Sequence, residues 1–204
     1  MHKRILLFFL LFSAICPSLF ADDVNEARKV FNYTYNMVFG PQGSTLRYDV
    51  NIIGIKKING TIWYKGKKSK FMEERHISWN DGVKDYWLDR KKKTVTLYDA
   101  GSEKKDKYSS KFKFNADDYN YSLETTRERY VVSLTARKNV KGIKQMKATI
   151  DRKTRAPMNL KIKVLWFWTT VNISNFRSGN INDDIFVFPS SQYSSYQLID
   201  KRGE

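Results

Sequence analysis

The stretch GTIWYKGKKSKFMEERHISWNDGVKDYWLDRKKKTVTLYD, residues 60–99, decides the fold class. Its apolar residues recur at every second position in short runs, TIWYK, SKFMEERHISW, DYWLD and TVTLYD, and glycine, asparagine and lysine clusters punctuate those runs. That is the pattern of half-buried strands joined by tight turns. Upstream, TLRYDVNII (45–53) continues it, with Leu46, Tyr48, Val50 and Ile52 on one face against Thr45, Arg47, Asp49 and Asn51. Downstream, YNYSLE, RYVVSLTA, KQMKATID, MNLKIKVLWFW, TVNISNF and IFVFP extend the same β meander, and the tail SSQYSSYQLIDKRGE offers a last edge strand. Short connections near Gly54, Gly66, Asp81-Gly82 and Arg90–Lys93 suit hairpins, so sequence neighbours are expected to pair antiparallel. The charged piece from Gly101 to Asp118 reads as a loop or one short helix.

Before the strands, DVNEARKVFNYTYNMVF (23–39) has Val24, Ala27, Phe31, Tyr35 and Val38 at helical spacing, and GPQG ends it. One amphipathic helix and many one-faced strands imply a mainly β (α+β) fold, a single curved antiparallel sheet wrapped around a helix as an incomplete barrel. A two-sheet sandwich is the alternative. Polar residues alternate outward, unlike the apolar outer face of a membrane barrel.

One stretch breaks the alternation. In NLKIKVLWFWTTVNISNF (159–176), Leu160, Ile162 and Val164 share a face, but Leu165, Trp166, Phe167 and Trp168 place bulky groups on both sides of the pleat. Such a strand has two apolar surfaces to cover.

The first residues, MHKRILLFFLLFSAICPSLFADD, combine a basic start, an apolar run and a small residue before two acids, the layout of a secretory signal. Residues 1–21 are expected to be cleaved, leaving one domain over residues 22–204. Cys16 and His2 fall in that leader, so the mature chain has no cysteine and His76 as its lone histidine. Disulfides, thiol nucleophiles and Cys/His zinc clusters are thereby excluded, and no metal or cofactor is expected. Losing Lys3 and Arg4 brings the formal charge from +16 to +14. A field of that sign attracts polyanions and anionic surfaces, though no nucleic-acid recognition motif accompanies it.

His76, near Glu73, Glu74 and Asp81, is the one acid/base candidate, and reads as a surface residue on the side opposite Phe71 and Trp79. The pairs Asp117-Asp118 and Asp183-Asp184 sit at turns for local reasons. With no nucleophile elbow and no glycine-rich phosphate loop, the chain does not read as an enzyme. An envelope hydrolase and a nucleic-acid binder are the remote alternatives. Two basic turns stand out: Lys65, Lys67 and Lys68, and then Arg90, Lys91, Lys92 and Lys93. If two strands separate them, both lie on one rim and form a docking edge for an acidic or phospholipid surface.

GTIWYKGKKSKF, then SWNDGVKDYWLDRKKKTVTLYD, and finally TTVNISNFRSGNINDDIFVFP resemble the periplasmic lipoprotein carriers of the LolA-like family in order and spacing, from the helix near Val24 to Pro189. The resemblance implies an incomplete barrel lidded by helices. Its cavity would hold lipoprotein acyl chains between an inner-membrane ABC release complex and an outer-membrane receptor. It further implies a periplasmic monomer that uses no cofactor and binds no nucleic acid. On that reading Tyr48, Val50, Ile52, Ile62, Phe71, Trp79, Tyr86, Leu88, Val95, Leu97, Ile162, Val164 and Trp166 line the acyl-chain cavity, and Phe31, Tyr35 and Val38 form the lid. The Arg-Pro that follows the Trp strand in better-known carriers is Gly66-Lys67 here, so a lid-tying arginine is not carried over, and Lys65 or Lys67 is the candidate substitute. Related domains of this fold bind lipid or sense envelope state, which is the alternative duty.

Overall fold

The computed structural model describes residues 18–52, 56–102, 114–140, 142–164 and 167–203. A helix, α1 (Ser18–Phe39), comes first. It buries Ala27, Val30, Phe31, Thr34 and Val38, a spacing of three and four that keeps one stripe against the sheet. Gly40 and Pro41 end it, and the Gly40 amide closes the last turn onto the Asn36 carbonyl at 2.9 Å.

Strands follow in a meander: β1 (Ser44–Ile52), β2 (Lys56–Lys65), β3 (Lys68–Glu73), β4 (His76–Asn80), β5 (Lys84–Asp89) and β6 (Thr94–Asp99). The second half holds β7 (Tyr119–Thr125), β8 (Arg129–Ala136), β9 (Gln145–Asp151), β10 (Pro157–Val164), β11 (Phe167–Ser178) and β12 (Gln197–Asp200). All twelve form one sheet in the order β12-β6-β5-β4-β3-β2-β1-β11-β10-β9-β8-β7. The two halves join where β1 pairs antiparallel with β11, Tyr48 facing Ile173 and Val50 facing Val171. The edges β12 and β7 do not pair with each other, so the curved sheet is an incomplete barrel and not the two-sheet sandwich that the alternation also allowed.

Three differences from the sequence reading matter below. SKFMEERHISW is not one strand: the chain reverses at Glu74-Arg75 and makes a β3–β4 hairpin, with Phe71 opposite Ser78. IFVFP is not a strand either, since Asp183–Phe186 is a short 3-10 turn capped by the Asn182 side chain. The tail does add an edge strand, but β12 runs parallel to β6 because Ser190–Tyr193 carries the chain back along the sheet first.

The core has two sides. On one face Ala27, Val30 and Phe31 of α1 pack with Tyr119, Tyr121, Val132, Leu134, Met146 and Ile150. On the other, Ile77, Trp79, Leu88 and Val95 pack beneath Phe188, Tyr193 and Tyr196 of the returning C-terminal segment. Tyr86 stacks on Phe188 at 4.4 Å.

Candidate functional site

Strand registers carry one apolar row across the helix-facing side. Leu123 faces Val132, Val132 faces Ala148, Ala148 faces Leu160, Leu160 faces Val171, Val171 faces Val50, and Val50 faces Ile58. Seven strands thus contribute one side chain each, because period-two alternation keeps every second residue on the same face. α1 crosses this face and presents a ladder of rings: Phe31 to Tyr35 at 6.0 Å, Tyr35 to Phe39 at 4.7 Å, then Phe39 to Tyr64 of β2 at 4.6 Å. The helix packs most closely on β7 and more lightly on β8, β1 and β2, while Leu160, Val171 and Val50 of the row border open space.

The space that remains is a cavity of about 690 Å³ between helix and sheet. That is within the roughly 300–1,000 Å³ typical of small-molecule sites. Aromatic and aliphatic side chains dominate its walls, among them Phe31, Val38, Ile62, Phe71, Leu160 and Ile162. Burial pushes the Tyr64 hydroxyl well above its ordinary range, so it stays neutral within this wall.

Thr34 and Asn159 also line the cavity, and a cluster of polar side chains gathers at one end. Tyr48, Glu73, His76 and Ser78 line the cavity there together with Trp87. Tyr48 Oη donates to Glu73 Oε1 at 2.6 Å, and burial plus this bond raise the tyrosine's proton affinity far above normal. His76 Nδ1 lies 3.9 Å from Glu73 Oε2, and its Nε2 lies 3.6 Å from Asp89 Oδ2. Asp89 is otherwise engaged: Arg75 grips both its oxygens, at 2.6 Å for the shortest contact, and holds its carboxyl well below the usual carboxylate range. His76 is therefore half-buried in the wall, not on the opposite surface. The sequence reading placed it there because it ran one strand through Glu74-Arg75, and the unseen reversal flips the side chains of β4, β5 and β6.

The same reversal relocates other expected residues. Tyr48, Val50, Ile62, Phe71 and Ile162 line the cavity, as do Phe31, Tyr35 and Val38 of the helix. Trp79, Tyr86, Leu88 and Val95 do not: they belong to the core on the far face, and Leu97, two residues after Val95 on β6, shares their side. Lys70 lies between Trp63 and Trp79 on that side, 5.4 Å from each ring. The side chains of Ile52 and Val164, and all of Trp166, lie outside the described residues. Missed from sequence were Leu46, Ile58, Tyr64, Glu73, Trp87, Met146, Leu160, Val171 and Ile173. Several share the alternation of expected neighbours and were legible as such.

No protein-family description and no curated protein matches the sequence. Among solved structures, an uncharacterized conserved protein from Thermus thermophilus shares the architecture at a TM-score of 0.60, with 6% identity over 86% of this chain and 99% of that one. Looser likenesses include a LolA superfamily protein from Nitrosomonas europaea, with a TM-score of 0.37, 8% identity and coverage of 79% and 97%. A DUF1329 family protein from Desulfovibrio piger gives a TM-score of 0.44 at 13% identity, with coverage of 86% and 99%. The Thermus likeness shows a shared fold, one curved antiparallel sheet around a helix.

In this fold the helix is tied down by hydrogen bonds to its backbone and by an ion pair. The Gly66 amide donates to the Gly40 carbonyl at 3.2 Å, Ser44 Oγ to the Val38 carbonyl at 2.7 Å and Ser178 Oγ to the Met37 carbonyl at 3.1 Å. Thr34 Oγ1 donates to the Arg155 carbonyl at 2.9 Å, and Arg28 pairs with Asp117 at 3.2 Å near the other end. Lys65 turns away from the helix, donating to the Ile181 carbonyl at 2.9 Å and lying 3.4 Å from Asp183.

The basic rim does not assemble. Three strands, β3, β4 and β5, separate the turn at Lys65–Lys68 from the turn at Arg90–Lys93, so the two lie at opposite ends of the sheet. Arg90 instead adjoins the Glu74-Arg75 turn, its amide bonded to the Arg75 carbonyl at 3.0 Å and its guanidinium to the Glu74 carbonyl at 2.9 Å. Lys68 pairs with Asp183 at 3.0 Å, so Lys65 and Lys68 hold the loop before the 3-10 turn. Lys67, Lys91, Lys92 and Lys93 form two separate exposed patches.

Proposed function

We propose that this protein is a periplasmic lipid carrier that holds acyl chains of lipoproteins between its helix and sheet and passes them from an inner-membrane release complex to an outer-membrane receptor. The observation that carries this reading is the cavity: about 690 Å³ of space, walled by apolar side chains from the helix and strands of both halves of the sheet. Water gains little in such a space, whereas each methylene moved into it is worth about 0.8 kcal/mol. The sheet does not close on itself, and the gap between helix and sheet gives long chains a way in and out. The reading is one of transfer without bond cleavage, by a monomer that uses no cofactor. The acylated lipoprotein as cargo and the membrane partners come from the sequence resemblance.

The experiment is displacement of an environment-sensitive fluorophore from the purified mature protein by a diacylated peptide and by its unacylated counterpart. Competition by the acylated form alone is expected. Failure of every acylated competitor to displace the probe would remove the carrier reading.

A further inference from the structure

The wall of the cavity has the opposite sign to the protein that encloses it. The chain carries a formal +16, yet among the described residues the lining holds one carboxylate, Glu73, and neither lysine nor arginine. The strong base closest in sequence, Arg75, is committed to Asp89.

Glu73 is placed by a row across three strands. Tyr48 of β1 faces Gly60 of β2, and Gly60 faces Glu73 of β3. A Cβ on residue 60 would stand 2.9 Å from Tyr48 Oη and 3.1 Å from Glu73 Cγ, so only the missing side chain lets the hydroxyl reach the carboxylate over the middle strand. One oxygen of Glu73 accepts the Tyr48 hydrogen bond at 2.6 Å, while the other lies 3.9 Å from His76, beyond hydrogen-bond reach. A carboxylate accepts up to about four hydrogen bonds, so acceptor capacity remains. The ring of Trp87, 5.9 Å from that of His76, adds a π face beside it. A half-shielded carboxylate, tyrosine and tryptophan rings, and apolar walls that weaken solvent screening together favour a cation.

From this we infer that the end of the cavity formed by Tyr48, Glu73, His76 and Trp87 receives an ammonium group, so the preferred ligand is an acyl-chain amphiphile with an amine head and not a free fatty-acid anion. The inference rests on the carrier reading and names its ligand class. An ammonium donates a charge-assisted hydrogen bond to Glu73, whereas a fatty-acid head would set like charges together.

The test uses the same displacement assay with three probes of equal chain length: dodecylammonium, dodecanol and dodecanoate. The expected order is amine, then alcohol, then acid, with about a tenfold step between the first two from one charge-assisted bond. In Glu73→Gln the amine-to-alcohol ratio should fall close to one. Tyr48→Phe, which frees the carboxylate from its internal donor, should keep or raise that ratio, and serves if the first variant does not fold. A diacylated peptide with a free amino terminus should outcompete its acetylated twin if the amine is that of a polypeptide, and match it if the preferred amine belongs to a lipid head. Equal displacement by all three dodecyl probes overturns the ammonium site and leaves the carrier reading standing. A preference that survives in Glu73→Gln also overturns it. No displacement by any acyl compound removes both.

Discussion

Tyr48 donates its hydroxyl proton to Glu73 at 2.6 Å, over the bare backbone of Gly60. Three adjacent strands cooperate in this contact, and it marks where the greasy interior of the sheet turns polar. Gly60→Ala should therefore cost more than its size suggests. The new methyl would stand 2.7 Å from the Met72 carbonyl oxygen, which is backbone and cannot swing aside, as well as 2.9 Å from Tyr48 Oη. Overpacking of this kind costs about 1–3 kcal/mol, and urea unfolding should show a lower midpoint at unchanged slope. An unchanged midpoint would mean that the row is looser than described.

Charge inside the wall should be intolerable where charge outside is not. Ile162 lines the cavity while its neighbour Lys161 is exposed on the other face. Ile162→Asp should weaken binding of an acyl fluorophore by tenfold or more, since a buried unpaired carboxylate costs at least about 1–3 kcal/mol. Lys161→Asp should leave the affinity within about twofold. Equal losses would place the ligand elsewhere.

Much of this was readable before any coordinates. Alternation put Tyr48, Val50, Ile62 and Ile162 on one face, and helical spacing put Phe31 and Val38 toward them. What escaped was the reversal at Glu74-Arg75. It has no glycine, proline or asparagine, so its sequence continues the rhythm of a strand, and the hairpin is held instead by Arg75 on Asp89 of the next strand, β5. That one reversal moved Trp79, Tyr86, Leu88 and Val95 to the far face and sent the two lysine turns to opposite ends. IFVFP reads as a strand because Phe186 and Phe188 alternate. Yet Phe186 is buried at the end of a 3-10 turn, and Phe188 covers Trp79. Parallel pairing of β12 was not legible, because it depends on the path of a loop.

The Arg75–Asp89 pair makes stability depend on acid. Asp89 also accepts the Lys91 and Lys92 amides at 2.9 and 3.0 Å, and its folded carboxyl titrates below its unfolded value. A depressed carboxylate contributes stability above the ordinary aspartate value, about 3.9, and loses it as pH falls toward the folded value. Asp89→Asn should thus unfold at lower temperature than the parent at neutral pH, and the gap should narrow below about pH 4. A gap that stays constant with pH would show that the carboxylate's charge contributes nothing.

The two lysine turns should act independently. Lys68→Glu sets like charges together at Asp183 and should speed amide exchange around Val187, whose amide donates to the Asp184 carbonyl at 3.2 Å. Lys92→Glu, at the far end of the sheet, should not change that exchange, and the double variant should show the sum of the two effects. Strong coupling between the two would restore a common rim.

The central claim is that acyl chains occupy the space between α1 and the sheet. Photolabelling with a diacylated peptide carrying a diazirine in its chain, followed by peptide mapping, tests it most directly. The account predicts adducts on α1, β1, β2 and β10, at side chains such as Phe31, Val50, Ile62 and Ile162, and their suppression by excess unlabelled acyl peptide. Adducts concentrated on the opposite face, around Trp79, Phe188 and Tyr193, would contradict it.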